Sequence, residues 1–513
     1  MRLVIFKTLN LILLLFLLQV LSMGAAFAQG QQDQKNIILI VSDDLNTSIG
    51  PYLGIDNFTP NLDRLAEEGV RFSRAYSQYP VCGPSRASFM SGLYPETNGI
   101  LKNNDEPGSY RVETPALADH PSMAGFFREN GYYTARVSKI FHMSVPGGIE
   151  RGDPGGDDPD SWDYAYNVMA PETLSPGDLE LLSPGNLHYG GNFSRMILGN
   201  EHKETQADYL AVNQALAILE NRTIKSVSGA TNKGKLKPDA PFFLGVGLVR
   251  PHVPFVAPQY CYEPHPDGEM EIPTFVINDN VPDEALARQN HKRWKMSETQ
   301  KQKTISGYMA SVRFMDEQVG RLLDGLDRLG IRDETIVVFI SDHGYNLGEH
   351  DCWSKLSLWE GSVRVPMIIS HPDHQQQNGT VVDEVVELTD LYPTLAEFGG
   401  LSDTQPDILQ GESLAGYIDD TKETANREFA YTVTRQGQSA SLRTKRWRYT
   451  RWGEEAESVN EELYDHQNDP EEHVNLVGNE RHVETLEMLR SKFEGIRQQA
   501  RNGLPGKQVG HEH

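Results

Sequence analysis

Asn36-Ile37-Ile38-Leu39-Ile40-Val41 is an unbroken apolar run, rich in β-branched side chains, that ends on Ser42-Asp43-Asp44. A strand with one wet face alternates polar and apolar residues, so a run without alternation predicts a central parallel strand buried on both faces. Working outward, Thr59-Pro60 reads as an N-cap with proline in the first turn, and Leu62, Leu65 and Ala66 form a helical stripe that stops at Gly69. Further strands are expected at residues 133–137, 242–249, 335–341 and 365–370. A long amphipathic helix at 305–329 precedes the last two, with apolar residues at 305, 308, 309, 312, 315, 319, 322, 323 and 326. This alternation predicts an α/β domain with a doubly wound, mainly parallel sheet. Asp43 and Asp44, Lys139, His252, and Asp342 with His343 each follow the C-terminal end of an expected strand. Open α/β sheets bind ligands there, so four such placements from distant parts of the chain point to one cleft.

From about residue 426 the pattern changes to short strands at 429–434, 439–443 and 447–452, then a helix at 483–499. The expected division is a catalytic α/β domain at 29–425 and a smaller C-terminal α+β subdomain at 426–513. Stretches 146–163 and 171–200 read as irregular insertions bordering the cleft. The chain has 513 residues, with 47 Lys+Arg against 72 Asp+Glu and a net charge of −25. Such acidity opposes nucleic acid and anionic membrane surfaces at long range. Arg2 and Lys7 precede the apolar run 11–20 and the A-x-A triplet Ala26-Phe27-Ala28. This reads as a cleavable signal peptide at 1–28, giving a secreted or periplasmic protein with no membrane attachment after cleavage. Three cysteines, at 82, 261 and 352, are too few and too odd in number for a disulfide framework in an exported protein of this size.

Cys82-Gly83-Pro84-Ser85-Arg86, continuing through Ala87-Ser88-Phe89-Met90 to Ser91-Gly92, puts a cysteine at the start of a helix with proline in its first turn. Backbone N–H groups and the helix dipole favour an anion there, and Arg86 lies one turn on. The same residues also describe a buried structural cysteine beside a surface arginine. Asp43, Asp44 and Asp342 offer the hard oxygen ligands that Ca²⁺ prefers. The Asp pair could instead cap the next helix, but three acids beside one cleft repel unless a cation joins them.

The pattern Cys-x-Pro-Ser-Arg-x₄-Ser-Gly resembles the signature of type I sulfatases, whose cysteine is oxidised to Cα-formylglycine by a separate maturation enzyme. The resemblance extends over the opening strand, the helix from Thr59 to Ala66, the Ser341-Asp342-His343-Gly344 turn and the segment from Glu462 to Leu476. It is nearest to the iduronate-2-sulfatase branch through Lys139-Ile140-Phe141-His142, Arg250-Pro251-His252-Val253-Pro254-Phe255, and Leu347-Gly348-Glu349-His350 with Trp353 and Lys355. It implies an alkaline-phosphatase-like fold and Ca²⁺ held by Asp43, Asp44, Asp342, residue 82 and His343. An Asn usually stands at the last position in the wider family, and a His in this branch.

By the same resemblance, hydrated formylglycine at 82 attacks sulfur. Arg86, Lys139 and Lys355 hold the sulfate oxygens, His252 protonates the leaving sugar oxygen, and His142 takes the proton that lets sulfate depart. Glu349, His350, Trp353 and Arg250 are substrate-side candidates. The implied substrate is a sulfated saccharide, with a uronate 2-O-sulfate leading. Another sulfated glycan, an aryl sulfate, a phosphate or phosphonate ester, and non-catalytic glycan binding remain open. Residues 443–452 carry five basic side chains among aromatics, which alone suggest a polyanion platform. Related sulfatases have a similar strand, which implies a structural element with solvated charges.

Overall fold

A computed structural model describes residues 34–502, apart from 56–57, 113–116, 187–189, 221–230, 233–239, 276–279, 421–426 and 456–459. The expected signal peptide, the C-terminal tail and the expected boundary at 425/426 fall outside the described residues.

The run that opened the sequence reading is the strand Asn36–Asp43, at the centre of a ten-stranded sheet. It pairs in parallel with Thr335–Ser341 on one side and Phe242–Pro251 on the other, and Tyr133–Val137 and Tyr164–Tyr166 continue the parallel part. Ile37, Leu39 and Val41 enter one core, and Ile38 and Ile40 the other. All five are fully buried, and such burial contributes about 1.5–3 kcal/mol per side chain. One face is covered by helices Pro60–Glu67, Ala207–Leu219 and Glu298–Leu329; the other by Cys82–Ser91, Met123–Glu129 and Leu391–Phe398. This is the doubly wound arrangement, with Asp43 at the C-terminal edge.

Three local expectations change. Residues 365–370 are two strands, Arg364–Val365 and Met367–Ser370, both antiparallel to their neighbours. They part at Pro366, which has no N–H for a ladder. Thr59 is not a side-chain cap: its Oγ1 accepts from Gly50 N, and Asp316 on the long helix accepts from the N–H groups of Asn61 and Leu62 instead. The stretch 171–200 is not irregular, since Gly177–Leu181 and Ser194–Leu198 form a small sheet with Phe255–Pro258.

At the C-terminal end, Phe429–Thr434, Ser439–Thr444, Trp447–Trp452 and Glu461–Asp465 make an antiparallel sheet covered by helix Val483–Asn502. Tyr79 and Tyr94 of the first unit join its core. Every basic side chain of that run is ion-paired, but only Arg443, Arg448 and Arg451 are buried; Lys445 and Arg446 stay 53% and 46% exposed. Arg443 and Arg448 meet Glu360, Arg448 also meets Glu472, Arg451 meets Glu494, Arg446 meets Asp465 and Lys445 meets Glu384.

Candidate active site

The site is assembled from five strand ends and one helix start. Asp44 follows the central strand with φ 65°, a left-handed conformation that aspartate tolerates better than most residues. Tyr308 of the long helix pins this turn, donating to Asp44 O and accepting from Asn46 N, both at 2.9 Å. The helix Cys82–Ser91 is buried over its whole length. Gly83 is required at its start, because a Cβ there would stand 2.7 Å from Asn103 Oδ1, the atom that accepts from Gly83 N. Ser85 donates to Asp342 O and ties the helix to the turn after Thr335–Ser341.

Around the Cys82 sulfur, His343 Nε2 lies at 3.3 Å, Lys355 Nζ at 3.2 Å and Asp44 Oδ1 at 3.9 Å. Lys355 Nζ also donates to Asp44 Oδ1 at 2.6 Å, and His343 Nε2 is 3.2 Å from the same oxygen. Lys139 Nζ meets Asp43 Oδ2 at 2.5 Å, and Arg86 Nε meets Asp342 Oδ2 at 2.8 Å. Arg86 also donates to the carbonyls of Lys139 and Ile140. His252 Nδ1 donates to Val253 O at 2.6 Å, leaving Nε2 3.7 Å from Asp44 Oδ2. His142 Nε2 is 3.4 Å from Asp105 Oδ1, and its Nδ1 is buried without a hydrogen bond.

Burial and packed cations set the protonation states. Burial alone would raise Asp43, but Lys139, His252 and Arg86 hold it well below the usual carboxylate range. For Asp44 burial prevails over His252 and Lys355, and its pKa is raised. Burial pushes His252 down to about 3, and His142 also to about 3 with help from Lys139. His343 goes the other way: Asp342 and the Cys82 sulfur outweigh burial and push it up to about 9. Lys355 is likewise held well above its ordinary value, against burial, by Asp44 and Cys82.

Donor atoms of Asp43, Asp44, Cys82 and His343 all lie within 4.8 Å of one another. Asp43 Oδ1 and Asp44 Oδ2 are buried and accept no hydrogen bond. Buried carboxylate oxygens are costly unless paired, so a metal ion fits among these donors. His343 Nδ1 contacts Gly344 O at 2.8 Å, which leaves Nε2 as the liganding nitrogen. Asp342 Oδ1 already accepts from the N–H groups of Asp44 and His343.

Of the sequence candidates, Asp43, Asp44, Cys82, Arg86, Lys139, His252, Asp342, His343 and Lys355 form one connected cluster. His142 stands beside it, within the field of Lys139, Asp43 and Arg86. Arg86 and Lys139 are fully enclosed, Arg86 against Asp43 and Asp342 and Lys139 against Asp43. All four substrate-side candidates are placed elsewhere. Trp353 is fully buried, edge-on to Phe193 in the core, and has no face for a sugar. Arg250 is spent on Glu172 and on the carbonyls of His252 and Pro254, which makes it a brace for the His252 turn. His350 stacks on Trp359 with ring centroids 3.9 Å apart, and lines a different cavity of about 770 Å³ that Glu349 also lines. Sequence reasoning missed Tyr308, Asn103, Asp105 and Glu172. Tyr308 was visible only as one member of a helical stripe; Asn103 and Asp105 sit in a loop and Glu172 at the start of a short 3₁₀ helix, all without a motif.

Residues 35–401 match the Sulfatase family, and residues 348–499 match the C-terminal region of N-sulphoglucosamine sulphohydrolase. A sulfatase of Formosa agariphila is 29% identical over 90% of this chain and 87% of its own. The iduronate 2-sulfatase of Mus musculus is 30% identical over 74% of this chain and 71% of its own. A solved structure bound to its substrate, D-glucosamine-2-N,6-O-disulfate, superimposes with a TM-score of 0.68 at 21% identity, covering 93% of this chain and 100% of that one. The alkaline-phosphatase-like fold expected from the motif is the one observed. With the family match spanning most of the chain, and the signature cysteine at the centre of the acid–base cluster, the chain belongs to the sulfatase family and is a sulfuric ester hydrolase.

Proposed function

We propose that the protein hydrolyses a sulfate ester of a saccharide, with a uronate 2-O-sulfate as substrate class, and that residue 82 acts as formylglycine made by a separate maturation enzyme. The observation that carries this reading is the Cys82 sulfur, enclosed by Asp44, His343 and Lys355 at the start of a buried helix. Asp43, Asp44, Asp342, His343 and residue 82 would hold Ca²⁺. Together, the hydrated aldehyde and the cation supply an activated oxygen nucleophile and polarise the sulfuryl group.

The remaining work falls to the chain's own side chains. Lys355, with 14% of its side chain exposed and its proton held firmly, is the cation left to meet sulfate charge. Arg86 and Lys139 act one step back, keeping Asp342 and Asp43 in place. His252 is fixed by Val253 O with Nε2 toward Asp44, and Nε2 is the atom that passes a proton to the leaving sugar oxygen. Burial pushes its pKa down to about 3, and the negative charge of a bound sulfate ester would favour the protonated ring that this step needs. His142, whose buried Nδ1 has no hydrogen-bond partner, is the residue that would accept the proton whose loss releases sulfate.

A two-metal phosphatase is the rival on this fold. The cluster at Cys82 offers ligands for one ion. Among the described residues the other candidate group, Glu360, His466 and Glu472, is already filled by Arg443 and Arg448. We further propose export through a signal peptide at 1–28, and two units meeting near residue 426, each with its own sheet.

Mass spectrometry of the tryptic peptide spanning Cys82, from protein made in its native host, should show an aldehyde in place of CH₂–SH. The same protein should hydrolyse an aryl sulfate far faster than the matched aryl phosphate. A fully active unmodified thiol, or dominant phosphatase activity, would overturn the proposal.

A further inference from the structure

A cavity of about 600 Å³ lies against the chain neighbours of the reactive centre. Val81, just before Cys82, and Leu356, just after Lys355, both line it, and Leu356 N donates to Pro80 O at 3.2 Å. Asn103 lines it too, and its Oδ1 accepts from Gly83 N at 2.8 Å. The opposite wall comes from the C-terminal sheet through Arg435, Gln436 and Trp452.

Charge in this cavity opposes that of the whole chain. Lys102, Arg288 and Arg435 line it against the single acid Glu284, in a protein of net charge −25. The Arg288 guanidinium lies 4.6 Å over the Trp294 ring. Lys102 and Arg435 are exposed. Arg435 is 3.9 Å from Glu284, with side chains 47% and 42% exposed, a pair weak enough to yield to a ligand. Tyr79, Trp452 and Leu356 give apolar surface between the cations, as a sugar ring needs.

The backbone adds an independent sign. Arg435 (φ 52°), Gln436 (φ 58°) and Leu356 (φ 75°) are non-glycine residues in the left-handed region, and all three line this cavity. Each such residue costs about 1–2 kcal/mol, and such outliers gather at ligand clamps. Gln436 N donates to Tyr79 OH at 3.1 Å, which holds the turn in this strained form.

We infer that this cavity binds a second oxyanion of the saccharide, a carboxylate or a further sulfate ester, through Lys102 and Arg435. It therefore selects doubly anionic sugars for the proposed sulfatase reaction, on which this inference rests.

Binding can be read without turnover by calorimetry on Cys82→Ala protein. One probe pair is an unsaturated 2-O-sulfated uronic acid–glucosamine disaccharide and its carboxyl-reduced form. The other is N-acetylglucosamine 3,6-di-O-sulfate and N-acetylglucosamine 6-O-sulfate. A charged-member preference of about 10–100-fold is expected in at least one pair, as for hydrogen bonds to charged groups. Lys102→Met with Arg435→Met should bring it near one, while Lys102→Arg with Arg435→Lys keeps most of it. The first pair responding identifies a carboxylate, and the second a sulfate ester. No binding, no preference in either pair, or a preference that survives the double Met variant would overturn the inference. Matured wild-type protein that fails on an aryl sulfate while this preference stands would instead sink the sulfatase mechanism and leave the subsite intact.

Discussion

Lys355 donates to Asp44 and to the Cys82 sulfur at once, yet keeps 14% of its side chain exposed. Removing this charge should weaken stabilisation of the sulfuryl oxygens more than it harms folding. Lys355→Met is expected to lower kcat/KM for an aryl sulfate by about 10²–10³-fold, the usual loss for one preorganised electrostatic donor. Steady-state kinetics would check this, and a loss below tenfold would remove Lys355 from the reaction. At this scale the sequence showed which residues converge but not what each touches. Arg86, Lys139 and Lys355 carried one expected role because they carry one charge. What separates them is enclosure by Asp342 and Asp43, which lie far away in the chain. Trp353 was misplaced for a similar reason: it stands two residues from Lys355, but its side chain points into the Phe193 core.

At the scale of elements, helix Pro60–Glu67 owes its N-terminal hydrogen bonds to another helix. Asp316 of Glu298–Leu329 accepts from Leu62 N at 2.8 Å, Asn61 N at 3.2 Å and Asn61 Nδ2 at 2.8 Å. Asp316→Ala should therefore destabilise the fold by about 1–2 kcal/mol, as loss of a cap does, with little change in turnover. Denaturant midpoints on wild type and variant would show this, and an unchanged midpoint would refute the capping role. No local rule could have found the cap, because Thr59 carries the expected residue type and the true acceptor is 255 positions from Asn61. The buried strands were legible because both faces demand apolar residues. Gly177–Leu181 was not, because its exposed Asp178 and half-buried Glu180 read as loop.

For the whole molecule, the C-terminal sheet is fastened to the first unit by buried polar contacts. Glu462 accepts from Trp359 Nε1 at 3.1 Å and from Trp452 and Tyr464. Burial pushes its carboxyl up to about 7. A folded pKa above the unfolded one stabilises fully below the unfolded value, and that contribution fades as pH rises through the folded one. Wild type should thus lose on the order of 1–3 kcal/mol between about pH 4.5 and 7 that Glu462→Gln does not lose. Thermal midpoints across that range would check it, and parallel profiles would refute it. The cation site predicts a second global effect. Raising Ca²⁺ after chelation should lift the melting temperature, by about 2.7 kcal/mol of stability at a hundredfold excess over Kd, and restore turnover. Melting that ignores Ca²⁺ would argue against a cation between Asp43 and Asp44. Acidity of the chain opposes polyanions only at long range, since local cations, Lys355 beside Cys82 and Lys102 and Arg435 in the neighbouring cavity, set the field where a ligand would sit.

Cys82 is 1% exposed, at the base of a helix whose ten residues are all buried. That enclosure sets a timetable. On the proposed maturation, a second enzyme would have to dismantle the helix to grip the peptide around this thiol, so oxidation would come while the chain is still open. A molecule that folded first would be locked out for as long as it stayed folded. The active fraction of a preparation would then record a race between folding and modification, and two batches with the same fold and purity could differ severalfold in turnover.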